Sequence, residues 1–343
     1  MTMPRREFLR SSFGALAAAT VAPRMKAQIT ASGPTRRILY LLGQFSDATP
    51  ASMRACVETV GGSGFNVLIL SFMQAKLAGG QLKLTFNENA FSSLSPLVPG
   101  LLARLRSGFA TRKRVMLSIG GWKNLPTFEA IRSFGVPAFV RQLTEQAIAP
   151  LGLDGVDLDL EPQTGGLDHW FAVHREYGKT IVDLTNEYKR VHPAHLVTHA
   201  PTSAVAAEFY AQPAAVPGVN GGLLHATRTS RGNNVDWLNV QLYEGGLVEG
   251  GDIAGYYRDS LAKPLSRIAA QTGIPRALPF LAPLFEPAAK QPLAFCQRTI
   301  AAIDARCADL QVGRVSGAAL WDYRQIAHSI GDWSQGLEAA LHA

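Results

Sequence analysis

The chain has 343 residues, of which 47% are hydrophobic and 17% are charged, a composition that excludes disorder over most of its length. Its formal net charge is +7, but residues 1–28 contribute five basic side chains and one glutamate, which leaves +7 − 4 = +3 for the remainder. Because a nucleic-acid-binding protein usually carries a concentrated basic patch, we expect no nucleic acid as a partner.

The first residues have the pattern of an export signal. The twin-arginine pair Arg5-Arg6 is followed by a weakly apolar segment at residues 11–21 and by the small residue Ala22. That segment is too short to span a bilayer, which takes about 20 residues. The sequence therefore predicts a twin-arginine export signal over residues 1–28 and a periplasmic or secreted protein. An amphipathic N-terminal helix is the alternative, and no membrane association is expected.

The three cysteines, Cys56, Cys296 and Cys307, do not form a disulfide framework. Cys296 and Cys307 fall on one predicted helix, where a rise of about 1.5 Å per residue places them too far apart to bridge. A fold without disulfides suits the twin-arginine route, because that route exports proteins already folded in a reducing cytoplasm.

Short apolar runs alternate with longer helical patterns along the rest of the chain. Such runs are typical of strands buried on both faces of a parallel sheet. The predicted strands are residues 37–42, 66–72, 114–119, 155–160, 195–199, 237–243, 277–282 and 317–321. Helical patterns lie between them, for example at residues 138–149, 170–191, 253–272 and 288–310.

Eight such alternations predict an α/β fold, a (β/α)8 TIM barrel that forms a single domain over residues 29–343. A doubly wound open sheet is the structural alternative, but it would normally carry a glycine-rich phosphate loop after its first strand, and residues 42–45 do not form one. Residues 76–84 predict a hairpin around Gly79-Gly80 that hangs over the C-terminal face.

Residues 154–161 read DGVDLDLE, the most informative segment of the chain. Side chains alternate along a strand, so Asp157, Asp159 and Glu161 share one face and three aliphatic side chains share the other. In a barrel the aliphatic face packs against helices, and the carboxylates then point inward and rise toward the C-terminal mouth. The pattern predicts a catalytic acid at Glu161, nearest the mouth, with Asp159 and then Asp157 beneath it.

Two other interpretations use the same carboxylates. One is a solvent-facing strand with a polar face, and the other is a Mg²⁺ or Ca²⁺ site. Alternating positions on one strand rarely converge on a single ion, and a metal site needs further ligands. We interpret His192, His195 and His199 as surface or packing residues, and we expect neither a metal ion nor a cofactor.

Residues 154–161 match the DGxDxDxE signature of the family 18 glycoside hydrolases at every position, and the chain resembles that family elsewhere. SIGGW at 118–122, QLYE at 241–244 and ALW at 319–321 are similar to its motifs at the ends of the third, sixth and eighth strands. YLLGQ at 40–44 resembles the corresponding segment of the plant and fungal type of chitinase. The resemblance extends from about Ile38 to Trp321.

The resemblance implies that the acetamido oxygen of the substrate is the nucleophile, so one protein acid is enough. It implies that Glu161 protonates the glycosidic oxygen and later activates water. Asp159 would orient the acetamido group and stabilise the positive ring, and Asp157 would share a proton with Asp159. Tyr243 would donate its hydroxyl to the acetamido oxygen, and Trp321 would form an apolar floor under the sugar.

Further substrate contacts are expected around this set. Gln241 lies deeper on the sixth strand, Phe72 ends the second strand, and Gly121 ends the third, where small residues leave space for the carboxylates and the sugar. Trp122 and Trp170 follow strand ends, and each either extends the binding groove or packs in the core.

Glu244 departs from the family pattern, which has Asn or Asp at that position. Gly245-Gly246 follows directly, so the chain can turn there and bring Glu244 to the rim. We therefore expect Glu244 to contact the bound sugar or an outer subsite.

The sequence thus predicts a chitinase-like, retaining glycoside hydrolase that cleaves β-1,4-linked N-acetylglucosamine polymers, such as chitin or chitooligosaccharides, by substrate-assisted catalysis. An endo-β-N-acetylglucosaminidase acting on N-glycans carries the same motif, and a non-catalytic sugar-binding barrel is a further alternative. The expected partner is an N-acetylglucosamine-containing polysaccharide or glycan, and the protein is expected to be a monomer.

Overall fold

The computed structural model of the protein describes residues 35–46, 48–162, 166–211, 216–219, 222–230, 232–243, 251–272, 280–289, 291–310 and 315–343. All of them belong to one compact unit. The predicted export signal at residues 1–28 lies outside the described residues. Within the described ranges, no helix has the length and hydrophobicity needed to cross a membrane.

Eight parallel strands close into a barrel, because the first strand pairs with both the second and the last. This confirms the predicted (β/α)8 fold. In barrel order the strands are β1 (Arg36–Leu42), β2 (Val67–Ala78), β5 (Arg114–Gly121), β6 (Gly155–Leu160), β7 (Leu196–His199), β10 (Trp237–Gln241), β11 (Phe280–Phe285) and β12 (Gly317–Leu320). Four further strands lie outside the barrel: β3 (Gln81–Phe86), β4 (Asn89–Ala90), β8 (Arg228–Thr229) and β9 (Gly232–Asn233).

Helices cover the outside of the barrel between successive strands, and several are extended by π-helical turns. The helices are α1 (Pro50–Gly61), α2 (Val98–Ser107), α3 (Leu125–Phe134), α4 (Val136–Leu143), α5 (Ala149–Leu151), α6 (Leu167–Val191), α7 (Ser203–Val205), α8 (Leu223–Ala226), α9 (Ile253–Tyr256), α10 (Lys263–Thr272), α11 (Leu293–Cys307), α12 (Tyr323–Ile326) and α13 (Ile330–His342). The π-helical turns are Thr144–Ile148, Ala206–Tyr210 and Tyr257–Ala262, and the 3₁₀ turns are Phe91–Ser93, Pro287–Ala289 and Ala327–Ser329.

Strand alternation divides the apolar core into two layers. On β1, Leu39 and Leu41 join a large cluster between the strands and the helices, whereas Ile38 and Tyr40 join a smaller cluster inside the barrel. The inner cluster also contains Met116 and several other buried residues, namely Val67, Ile69, Trp237, Ala282, Leu284 and Ala319. The barrel is therefore a packed core whose open end is at the carboxyl ends of the strands.

Several predicted elements have different bounds in the structure, and two of them are consecutive in the chain. The seventh barrel strand was predicted at residues 277–282, but β11 runs to Phe285 and pairs with β10 and β12. Pro283 lies inside this strand, although proline normally argues against a central strand. The helix predicted from residue 288 begins at Leu293 instead, because Pro292 holds an extended backbone just before it.

The hairpin predicted around Gly79-Gly80 is present, since β2 continues past the barrel and pairs antiparallel with β3. The backbone N–H of Ala75 donates to Thr127 Oγ1 on α3 at 3.0 Å, and Gln142 Nε2 donates to Leu82 O at 2.8 Å. The hairpin therefore packs against the helices that follow the third barrel strand.

Candidate active site

The acidic segment forms β6, and its side chains alternate as the sequence predicts. Val156, Leu158 and Leu160 are buried in the outer cluster against the helices. Asp157 and Asp159 point the other way, and their side chains are 0% and 3% exposed. Two carboxyl groups are thus stacked inside the barrel below Glu161, which follows the last residue of the strand.

Asp157 lies deepest and is held by four hydrogen-bond donors. Its Oδ2 accepts from Tyr40 at 3.1 Å and from Ser118 Oγ at 2.9 Å. Its Oδ1 accepts from Thr198 Oγ1 at 2.5 Å and from Asn239 Nδ2 at 3.2 Å. Burial nevertheless raises the pKa of Asp157 above its usual value, because desolvation outweighs the four donors.

Asp159 lies one layer higher and is linked to Glu161. Burial, followed by the charges of Glu161 and Asp157, raises the pKa of Asp159 well above its usual value, and a hydrogen bond to Glu161 adds to the shift. A hydrogen bond therefore joins the two carboxyl groups, and burial favours the protonated form of Asp159 over the carboxylate. Gln241 Nε2 lies 3.3 Å from Asp159 Oδ1 and 3.3 Å from Glu161 Oε1, so one amide contacts both carboxyl groups.

Two glycines at the end of β5 allow the neighbouring strand and ring to approach closely. At Gly120 a Cβ atom would lie 2.1 Å from the carbonyl oxygen of Asp159, and at Gly121 it would lie 2.6 Å from the ring of Phe72. Both residues have positive φ, at +111° and +90°. The Gly-Gly pair therefore sets the height of Asp159 and the position of Phe72.

A cavity of about 150 Å³ opens above the carboxyl groups at the barrel mouth. Trp321 forms its floor, with its ring 5.3 Å from that of Phe72 in a stacked arrangement and 5.5 Å from that of Tyr40 in an edge-on arrangement. Glu161 and Tyr243 also face the cavity. An acid beside an aromatic floor suits a sugar ring, whose C–H faces are apolar and whose linking oxygens accept protons.

Trp122 extends this surface toward the third barrel strand. Its side chain is 48% exposed and lines the cavity, and its ring centre lies 6.4 Å from that of the buried Trp170. Trp170 stacks in turn on His174. Trp122 therefore belongs to the cavity wall, and Trp170 is the packing residue that supports it.

The structure brings most of the predicted site residues together and adds three to them. Glu161, Asp159, Tyr243, Trp321, Phe72 and Trp122 line the cavity, and so do Tyr40, Leu284 and Glu286, which the sequence analysis did not select as site residues. Asp157 and Gln241 lie beneath the cavity wall and Gly121 lies behind Phe72. The signal that could have identified Glu286 is its place directly after a barrel strand. Glu244 lies outside the described residues.

The three histidines considered above take part in packing contacts. His199 bonds with Thr185 and Tyr210, and burial lowers its pKa to about 3. The rings of His192 and His195 stack on each other at 4.7 Å. In the described part of the chain, no group of three His, Cys, Asp or Glu side chains has the arrangement to hold a metal ion.

A larger groove, of about 600 Å³, lies outside the barrel along α6. Its charged side chains pair with one another, as Arg132 does with Glu176 and Lys179 with Asp183. We place the candidate active site at the barrel mouth instead, because there, within the described residues, carboxyl groups with raised pKa values meet aromatic rings.

Comparisons with known proteins agree on the fold. No family model matches the sequence, and no curated protein matches it. Catalytic-site mutants of domain 2 of a chitinase from Pyrococcus furiosus, in complex with chito-oligosaccharides, are similar in structure, with a TM-score of 0.57 at 13% identity over 90% of this chain and 95% of that chain.

Two further structures illustrate the range of functions on this fold. A family 18 chitinase from Cycas revoluta in complex with allosamidin has a TM-score of 0.52 at 12% identity, over 89% of this chain and 99% of that chain. A xylanase-alpha-amylase inhibitor protein in complex with trehalose has a TM-score of 0.50 at 16% identity, over 90% and 99%. At these identities the similarity establishes a shared barrel fold, which chitinases and inhibitors both use.

Proposed function

We propose that this protein is a retaining glycoside hydrolase that cleaves β-1,4-linked N-acetylglucosamine polymers, such as chitin or chitooligosaccharides. The observation that carries the proposal is the hydrogen-bonded pair of carboxyl groups, Asp159 and Glu161, which lines the same cavity as the indole of Trp321. One proton-donating residue, Glu161, is enough for substrate-assisted hydrolysis, in which the acetamido oxygen of the sugar replaces a protein nucleophile.

The pair accounts for the proton in this mechanism. Glu161 delivers the shared proton to the glycosidic oxygen as the acetamido oxygen attacks the anomeric carbon and the leaving sugar departs. Both carboxylates of the pair are then ionised: Asp159 stabilises the positive ring that forms beside it, and the Glu161 carboxylate is left as a base. Tyr243, on the cavity wall, holds the acetamido oxygen. Glu161 later takes a proton from a water molecule, whose oxygen bonds to the anomeric carbon as the bond from the acetamido oxygen breaks and the acetamido group is regenerated.

The test is hydrolysis of N-acetylglucosamine oligomers, with products identified by mass and the first-formed anomer identified by NMR. We expect cleavage with retention of configuration for acetylated oligomers and none for fully de-N-acetylated ones. Glu161→Gln should lower turnover by about 10²- to 10⁴-fold, the usual value of general acid catalysis, while substrate binding persists. Inversion of configuration, or a Glu161→Gln variant within threefold of wild type, would rule out the mechanism.

A second candidate function is sugar binding or protein inhibition without catalysis. The structural similarity to a xylanase-alpha-amylase inhibitor favours it, since that protein has the same fold. The same oligomer assay separates the two candidate functions, because a protein that only binds sugar gives no products at any protein concentration. Adding an N-glycopeptide as substrate identifies the endo-β-N-acetylglucosaminidase alternative by the mass of the released glycan.

A further inference from the structure

Glu286 gives the cavity an acidic side chain that comes from a strand three positions around the barrel from that of Glu161. It directly follows β11, the seventh barrel strand, and by strand alternation it continues the inward face of Ala282 and Leu284. In a closed barrel of eight strands, the seventh lies opposite the third, whose end carries Trp122. The cavity therefore extends across the mouth from an indole on one side to a carboxylate on the other.

The backbone at Glu286 is held by a buried side chain. The N–H of Glu286 donates to Gln291 Oε1 at 2.8 Å, and Gln291 Nε2 donates to the carbonyl oxygen of Leu242 at 3.4 Å. Gln291 is only 7% exposed, so it ties the end of the seventh strand to the end of the sixth, beside Tyr243. Glu286 is thus a half-buried residue on a fixed backbone.

The charged side chains that the structure describes in the cavity lining are of one sign. Among the described residues that line it, Asp159, Glu161 and Glu286 are acidic and none is a lysine or arginine. A neutral sugar polymer gains little from such a field, whereas a cation is attracted both by the Asp159–Glu161 pair and by Glu286. The sugar unit that is cleaved needs its acetamido group, which is uncharged. A protonated amino group must therefore lie on a different sugar unit of the substrate.

We propose that Glu286 selects substrates that are partly de-N-acetylated, by binding the protonated amino group of a sugar unit on the β11 side of the mouth. The inference rests on the proposed function, because the unit above Trp321 still needs its acetamido group. Glu286 is a specificity-determining residue in this scheme, and the catalytic steps stay with Asp159 and Glu161.

The experiment measures binding, so that it does not depend on turnover. Calorimetry in the Glu161→Gln background compares a fully acetylated tetrasaccharide with tetrasaccharides that carry one free amino group at a defined unit. We expect at least one amine-bearing isomer to bind more tightly than the acetylated oligomer. The affinity ratio is the affinity for the amine-bearing isomer divided by that for the acetylated oligomer. Adding Glu286→Gln should reduce this ratio by roughly tenfold, which corresponds to the loss of one charge-assisted hydrogen bond. Glu286→Asp, which keeps the charge, should retain part of the ratio.

Glu208→Gln is the matched control, since Glu208 is also half-buried but does not line the cavity, and it should keep the ratio of the Glu161→Gln parent. If Glu286→Gln changes both affinities equally, or neither, the inference is wrong while the proposed function stands. If the parent binds no acetylated oligomer, the proposed function and the inference both fail. An equal shift of the pH–rate profile on both substrates, measured with Glu161 restored, would show that Glu286 acts on the catalytic acid instead.

Discussion

At the scale of single residues, the amide of Gln241 is the group that connects the two upper carboxyl groups. A hydrogen bond of 2.9 Å to the carbonyl oxygen of Ala200 anchors its Nε2, which also contacts Asp159 and Glu161. Its Oε1 is buried without a hydrogen-bond partner among the described residues. An N–H donor stabilises a carboxylate more than a carboxylic acid, so Gln241 favours ionisation of the pair.

Replacing this amide should therefore change the pH dependence of catalysis. In Gln241→Leu the carboxyl pair loses its donor, the apparent pKa values of the pair rise, and the optimum of kcat/KM moves to higher pH. Because both contacts are long, we expect a shift of about one unit, near the lower value for a hydrogen bond to a charged group. The pH–rate profile on a single oligomer measures it.

Gln142→Leu is the control for this prediction. It removes another side-chain amide, whose Nε2 donates to the carbonyl oxygen of Leu82 in the hairpin, away from the carboxyl groups. This variant should lose some stability and keep the wild-type pH optimum. If the pH optimum shifts equally in the two variants, the shift comes from a general loss of stability. Gln241 would then have no specific effect on the carboxyl pair.

At the scale of elements, the approach of β5 to β6 determines where the acid pair lies. Gly120 is paired with Asp159 in the parallel register of these strands, and Gly121 with Leu160. The Ser118 side chain on the same strand holds Asp157 one layer lower. Strand β5 therefore positions both aspartates. The hydroxyl of Ser118 holds Asp157, and the absence of a side chain at Gly120 lets the backbone of Asp159 approach.

Gly120→Ala should disrupt this contact. Its new methyl group would lie 2.1 Å from the Asp159 carbonyl oxygen, at a φ of +111°, so the strands must separate. We expect a loss of unfolding free energy on the order of 3 kcal/mol or more, measured by urea denaturation. Turnover should fall as well, because Asp159 moves with its backbone.

Gly79→Ala separates backbone strain from crowding. Gly79 also has a positive φ, +58°, but nothing lies within 4 Å of its Cβ position at the hairpin tip. Gly79→Ala should lower the unfolding free energy by only about 1 kcal/mol, the strain of an alanine in the left-handed region. If Gly120→Ala costs no more than Gly79→Ala, the close approach does not control the site.

At the scale of the whole molecule, buried neutral histidines make the fold sensitive to acid. His174 is 2% exposed, its Nδ1 bonds with the carbonyl oxygen of Trp170 at 2.8 Å, and its ring packs between Trp170 and Phe209. Burial lowers its pKa to about 4. The unfolded chain takes up a proton at this residue below about pH 6.5, but the folded protein does not, so lowering the pH favours unfolding.

His174→Gln should make the stability less dependent on pH. Lowering the pH from 7 to 5 should reduce the unfolding free energy of the wild type by about 2 kcal/mol through His174. The variant should lack this reduction. The raised pKa of Asp159 changes the stability in the opposite direction in both proteins. Wild type and His174→Gln are therefore compared by the slope of the unfolding free energy against pH. His169→Gln, an exposed histidine on the same helix, should keep the wild-type slope. Identical slopes for all three proteins would contradict the prediction.

We also propose that the folded protein is exported by the twin-arginine route. Its three cysteines are free and buried, and burial raises the pKa of Cys56 to about 12, so folding needs no disulfide formed outside the cytoplasm. Changing Arg5 and Arg6 to lysine should leave the precursor in the cytoplasm, as measured by cell fractionation and immunoblotting. Normal export of the double variant would exclude this route.

The sequence by itself determined the barrel and the core of the candidate site. Buried parallel strands need continuous apolar runs, and these are readable one strand at a time. The alternation of Asp157, Asp159 and Glu161 is likewise a local property, because the side-chain period along a strand is two residues. These features follow from near neighbours in the chain, so no knowledge of packing was needed.

Only the tertiary structure decided which distant residues meet at the mouth. Glu286 follows a barrel strand, but its local sequence does not show which residues it meets, and it reaches the cavity because barrel closure brings the seventh strand opposite the third. The donor role of Gln241 and the support of Trp122 by Trp170 likewise depend on contacts between elements far apart in sequence. Hydrogen bonds and ring contacts act over a few ångströms in space, so their partners are defined when the chain closes and not by spacing along it.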